Sequence, residues 1–121
     1  MTLGKFFEKS KEIAPELIRI RCEIHIHPEI GFQEFKTSTL IAERLEQLGL
    51  EVQTNVGQTG VVGLLHGGYP GKTIALRADM DALLIHEQSN KEYQSQTSGV
   101  MHACGHDAHV AMLLGGCTDS F

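Results

Sequence analysis

The stretch Lys72-Thr73-Ile74-Ala75-Leu76-Arg77-Ala78-Asp79-Met80-Asp81-Ala82-Leu83 decides how this chain is read. Residues 72–78 form a β-type run that stops at two acids, and in open α/β sheets ligands gather at the carboxyl ends of strands. Asp79 and Asp81 are therefore candidate site residues. The plainer reading of the pair is two loop-starting acids that hydrogen-bond nearby backbone. Two further β-type runs precede this one, at 51–54 and 60–66. Gly67-Gly68-Tyr69-Pro70-Gly71 is dense in turn residues and links 60–66 to 72–78, so the spacing predicts that these two pair as a hairpin or as adjacent strands.

Helical patterns flank the strands. Ile13, Leu17, Ile20 and Ile24 step by four, three and four, the spacing of one buried helical face. Pro15 places the start of this helix near Ala14, after a short helical piece bearing Phe6 and Phe7. His27-Pro28-Glu29 ends it, because a residue before proline is pushed out of the helical region. A second amphipathic helix begins near Thr37, with Leu40, Ile41, Leu45 and Leu48 inward and Gly49 as its terminator. Residues 79–103 then lose periodicity, and structureless segments that long are usually functional loops. Val110, Leu113, Leu114 and Cys117 restore helical spacing, which Gly116-Cys117-Thr118-Asp119-Ser120-Phe121 abandons. Helices around short strands make the fold class α/β.

With 121 residues and 13.3 kDa the chain holds one domain at most. Ten Lys and Arg against fifteen Asp and Glu leave a net charge of −5, which excludes the clustered positive surface needed for nucleic acid. No apolar run approaches the roughly 20 residues that span a bilayer. The segment from Met1 to Lys9 lacks the apolar core of a secretion signal, so a cytoplasmic location is expected. Cys22, Cys104 and Cys117 are odd in number and widely spaced, which suits reduced thiols or metal ligands better than disulfides.

The densest chemical signal is Met101-His102-Ala103-Cys104-Gly105-His106-Asp107-Ala108-His109. A thiolate and imidazoles suit a borderline-soft divalent ion such as zinc, and a ligand pair two residues apart needs the non-helical turn that Gly105 permits. Cys104 and His106 fit that geometry. His106 and His109 share a helical face, leaving His109 or Asp107 to orient the ligands. A Cys–His nucleophilic site is the competing reading, but it needs one base and one orienting group rather than three crowded imidazoles. His25, four residues after Arg21 and within His25-Ile26-His27-Pro28-Glu29-Ile30-Gly31-Phe32-Gln33-Glu34, is read as a half-buried polar residue at a helix end. Cys22 and Cys117 read as small buried hydrophobes.

Taken in order, these segments resemble the amidohydrolase branch of the metal-dependent aminoacylase and carboxypeptidase superfamily, which includes hippurate hydrolases, N-acyl amino acid amidohydrolases and auxin-conjugate hydrolases. The resemblance runs from about residue 18 to 115. It rests on His25-x-His27-Pro28-Glu29-x-Gly31-Phe32-x-Glu34, on Thr59-Gly60-Val61-Val62, on Pro70-Gly71-Lys72 through Leu83, and on Gly99-x-Met101-His102-Ala103-Cys104-Gly105-His106-Asp107-x-His109. It implies the amino-terminal part of a three-layer αβα zinc-peptidase-like catalytic domain. It also implies a site for two divalent ions (zinc, manganese, cobalt or nickel) with Cys104 and His106 among the ligands, and a glutamate base with further ligands later in the chain. Metal-activated water would attack the amide of an N-acyl amino acid. Asp79 and Asp81 are implied as supports of the metal site, as are His102, Asp107 and His109, and intact members are often homodimers.

Departures from the family pattern are Leu84 where proline is usual and Cys22 where a second arginine often follows Arg21. Members are about three times longer, with an inserted smaller domain that a chain of this size cannot hold. The expectation is a partial catalytic domain over 1–121, from a truncation or a shifted frame. It should bind metal weakly, turn over negligibly and associate through uncovered strand edges.

Overall fold

A computed structural model describes residues 3–118. Asp119, Ser120 and Phe121, part of the expected break in pattern, lie outside the described residues, as do Met1 and Thr2. The first element, α1, is a single helix over Leu3–Ile26 with Pro15 inside it, not a short piece followed by a main helix. An interior proline deletes one backbone hydrogen bond. Pro15 and Lys11, whose carbonyl loses that bond, both lie on the exposed part of the helix rather than in the core. The buried positions Ile20 and Ile24 are those of the expected face.

Helix α2 spans Phe35–Gln47, and Ile41, Ala42 and Leu45 turn inward. Its C-terminus closes with Gly49 at φ 86°, where the Gly49 N–H bonds Glu46 O at 3.0 Å and the Leu50 N–H bonds Leu45 O at 3.1 Å. This pair is the Schellman arrangement, and its apolar contact comes from Leu45 and Leu50, both core residues. At the other end the N–H groups of Lys36 and Thr37 donate to the two carboxylate oxygens of Glu29 at 3.0 and 2.7 Å. A carboxylate there satisfies orphan donors and complements the helix dipole. Glu34, 5% exposed, accepts from the Phe32 N–H and from the Thr59 hydroxyl. The acids of the Pro28–Glu34 motif thus tie the connection after α1 to the start of α2, and the start of α2 to the turn at Thr59.

Strands β1 (Glu51–Val56) and β2 (Gly60–Leu64) form a two-stranded antiparallel sheet with Val52 opposite Gly63 and Gln53 opposite Val62. The hairpin is therefore made by the first and second β-type runs, not the second and third. Asn55, Gly57 and Gln58 all adopt positive φ, and this reverses the chain within three residues. Residues 72–78 form no strand, and Ile74 and Leu76 are 83% and 74% exposed. Strand geometry requires a paired edge, and no other segment among the described residues supplies one.

Beyond an irregular stretch, helix α3 occupies His106–Thr118, so Gly116, Cys117 and Thr118 continue the helix rather than leave it. It packs on α1 so closely that a β-carbon at Gly115 would lie 2.7 Å from Leu17 Cδ1. Ile20 and Ile24 from α1, Ile41 and Leu45 from α2, Leu50, and Val110, Ala111 and Leu114 from α3 make one core. The architecture is α/β, with helices over a small sheet.

Candidate metal centre

The aperiodic segment between β2 and α3 is anchored at several points. Ala82 forms a parallel bridge with Ile30, its N–H bonding Glu29 O at 2.8 Å, while Leu83 and Met101 exchange backbone hydrogen bonds at 2.9 and 3.0 Å. These contacts carry Asp81, next to Ala82, to the foot of α3. There the ring nitrogen Nδ1 of His106 lies 2.9 Å from both Asp81 Oδ1 and Asp81 O. An Nδ1–H donated to these oxygens fixes the tautomer and leaves the Nε2 lone pair for a ligand. Asp79 Oδ2 is 4.0 Å from Nε2, beyond hydrogen-bond reach. Asp79 itself pairs with the exposed Arg77.

Cys104 is an exposed free thiol, and the left-handed Gly105, φ 99°, separates it from His106 at the start of α3. The His109 ring stands 6.1 Å from that of His106, tilted by 39°. Cys104 and His106 fit a divalent ion in donor chemistry: one thiolate, plus one imidazole already turned by a carboxylate. They make two ligands, and no group of three or more His, Cys, Asp or Glu among the described residues is placed to hold a metal.

Behind this pair lies a buried charged cluster that sequence reasoning missed. Asp107 is fully buried and His25 is 3% exposed. Asp107 Oδ2 accepts from Arg21 Nε at 2.8 Å and from His25 Nδ1 at 2.7 Å. His25 Nε2 meets Glu87 Oε1 at 2.9 Å, and Glu87 also accepts from the Ser95 N–H at 2.8 Å and from the Ser89 hydroxyl. Tyr93 covers the group, edge-on to His25 and beneath the Arg21 guanidinium. Burial works against the Asp107 charge, but the bonds from His25, the Ala108 N–H and Arg21 outweigh it and hold the carboxyl below the usual carboxylate range. Glu87 is lowered in the same way: burial opposes its charge, while Ser89, Ser95 and His25 favour it.

Of the residues singled out in sequence, Asp81 and His106 are brought together. The carboxylate of Asp107 is bonded to Arg21 and His25 instead of the histidines of its own segment. His102 is 4% exposed and both its ring nitrogens lack a partner among the described residues, as does Asp107 Oδ1. Burial depresses the His102 pKa below 6.5, against the pull of the Asp107 charge. His25 proves to be a central contact rather than a half-buried helix end. Its spacing of four from Arg21 was the available signal, since residues at i and i+4 share a face. Glu87 and Tyr93 left none, because nothing local pairs them with α1. The cleft between α1 and α2, bordered by Arg19, Glu23, Lys36 and Arg44, includes none of Asp79, Asp81, Cys104 or His106.

Residues 75–118 match the peptidase family M20/M25/M40. The chain is 58% identical over 107 residues to a thermostable carboxypeptidase of Saccharolobus solfataricus, covering 88% of this chain and 27% of that protein. It is 48% identical over 103 residues to a hippurate hydrolase of Campylobacter jejuni, covering 85% of this chain and again 27% of the relative. In structure it is similar to a Bacillus subtilis dinuclear metal-binding peptidase of the M20 family, with a TM-score of 0.84 at 41% identity over 89% of this chain and 30% of that one. The chain thus spans little more than a quarter of the length of these curated relatives.

Proposed function

From a chain that belongs to the M20/M25/M40 peptidase family, we infer the amino-terminal part of a metal-dependent amidohydrolase, a partial catalytic domain over residues 1–121, acting on the amide bond of N-acyl amino acids. The observation that carries this reading is His106, held through Nδ1 by Asp81 with Nε2 left open. Cys104 and His106 would hold a divalent ion, zinc, manganese, cobalt or nickel, in a two-ion site whose other ligands and general base come from beyond the matched segment. Bound there, the metal would supply a Lewis acid for the amide carbonyl and an activated water.

The chain's own residues do the preparatory work. Asp81 keeps the proton on Nδ1 and the ring oriented, Gly105 turns the backbone between Cys104 and the start of α3, and Asp79 stands by with a second carboxylate. The substrate class is supported by relatives named hippurate hydrolase and N-acyl-L-amino acid amidohydrolase. A reducing compartment, the cytoplasm, suits the free thiols. No helix among the described residues is long and apolar enough to cross a membrane.

A second reading is favoured by one observation. Catalytic zinc sites ordinarily have three protein ligands, and no such group exists among the described residues. On that reading the chain binds metal without turning over. The two separate by release of amino acid from hippurate and from N-acetyl amino acids, with metal, with chelator and in Cys104→Ala. Release abolished by both treatments supports the hydrolase, and metal binding lost in Cys104→Ala without any release supports the second reading. Release that survives both treatments overturns the metal mechanism.

A further inference from the structure

Asp107 directly follows His106, yet its carboxylate is bonded to residues 82 and 86 positions away. We propose that Arg21, His25 and Glu87 are positioning residues for the metal pair: they clamp Asp107 in the first turn of α3 and thereby set the aim of Cys104 and His106. This rests on the reading of Cys104 and His106 as ligands.

The pair needs such a clamp. Both ligands stand where an irregular segment enters a helix, with a left-handed glycine between them, and ligand geometry must be held to about 0.5 Å for tight binding. Asp81 orients the His106 ring from one side but does not hold the backbone of α3. Asp107 does: Arg21 Nε and His25 Nδ1 reach it from one face of α1, across the α1–α3 contact that Gly115 makes close. Glu87 then bonds the far nitrogen of the same imidazole and draws the middle of the 65–105 segment onto α1. The Gln96 N–H reinforces this by bonding Ile26 O at 2.9 Å. One imidazole thus ties the first turn of α3 and the middle of the segment that leads into it to a single helix.

Stability alone is a poor reason for this arrangement. Burying ionic groups carries a desolvation penalty that their attraction often only balances, and well-packed apolar replacements are frequently neutral or better. What such a cluster supplies that an apolar one does not is direction, since each bond fixes an angle as well as a distance.

The test is a cobalt(II) titration of the full chain, followed by the thiolate-to-cobalt charge-transfer band that reports Cys104, with helix content and thermal melting measured alongside. Arg21→Lys keeps the charge and loses the Nε donor, and Glu87→Gln keeps the shape and loses the carboxylate. Each should stay folded, keep the band at saturating cobalt and bind cobalt 10- to 100-fold more weakly, the usual effect of losing a partner behind a ligand. Ile20→Val, a core change that removes none of the cluster's bonds, should leave cobalt affinity unchanged. Folded variants with wild-type affinity overturn the proposal. So does an equal loss in Ile20→Val, which would make the effect one of general stability, and so does loss of helix content in both cluster variants, which would make the cluster a folding element. If the wild-type chain gives no thiolate band, or Cys104→Ala binds cobalt as well as wild type, the ligand reading itself fails, and that outcome is distinct from the others.

Discussion

The contact of α1 with α3 and the stretch from β2 to residue 78 are built from similar apolar residues and end in opposite states. On the helical side Ile20, Ile24, Val110, Ala111 and Leu114 are all under 5% exposed. On the sheet side Val62, Leu64, Ile74 and Leu76 run from 42% to 83% exposed. A helix closes its backbone hydrogen bonds within itself and needs a neighbour only along one stripe. A strand needs a neighbour for its backbone before its side chains can be buried at all. The region that needs partners from elsewhere is left open, and the region that needs only another helix is finished.

Three perturbations break or sharpen this contrast. The largest effect is expected from Leu114→Ala, at the centre of the finished side. It should lower unfolding free energy by about 2–5 kcal/mol, the range for a buried leucine leaving a cavity, as read by urea denaturation. A loss under 1 kcal/mol would show that the helical core is as loose as the sheet side.

A smaller effect comes from acid, through the charged cluster between the two helices. The carboxyls of Glu87 and Asp107 lie below their ordinary values of 4.5 and 3.8 in the folded chain. On acidification the unfolded chain therefore takes up these protons first. The stability they contribute is complete above the ordinary values and is lost as pH falls through the folded ones. Melting temperature should fall as pH drops below the ordinary carboxyl values of 4.5 and 3.8, with a shallower fall in Glu87→Gln. An unchanged slope in that variant would remove Glu87 from the cluster's energetics.

The smallest effect on stability is expected at Leu76→Ser, within about 0.5 kcal/mol of wild type as for other exposed sites. Its consequence lies in association, because an uncovered apolar edge is a template for another chain. Light scattering of concentrated protein should fall in the variant, and a substantial destabilisation instead would mean that residues 72–78 are already paired in solution.

The same division explains what could be read in advance. The inward faces of α1, α2 and α3 were legible from residues three and four apart, and so was the Gly49 terminator, whose bonds reach only to Glu46 and Leu45. The sequence pattern misassigned the hairpin because 51–54, 60–66 and 72–78 all look like strands. The choice between partners lay in the positive-φ turn at Asn55, Gly57 and Gln58. Pro15 does not act as a boundary, since one missing bond is a small part of the ladder of a 24-residue helix.

At the candidate site, the Cys104-x-His106 spacing was open to sequence reasoning, and so was the family, through ordered motifs, whereas the strand end that made Asp79 and Asp81 candidates is not formed. That Asp81 would meet His106 across 25 residues, that Asp107 would turn to Arg21 and His25, and that Glu87 would join them, only the tertiary structure decided. Helical periodicity and donor spacing are written within a few consecutive residues. The partner of a strand edge or of a buried charge is chosen by whatever the whole chain brings alongside it.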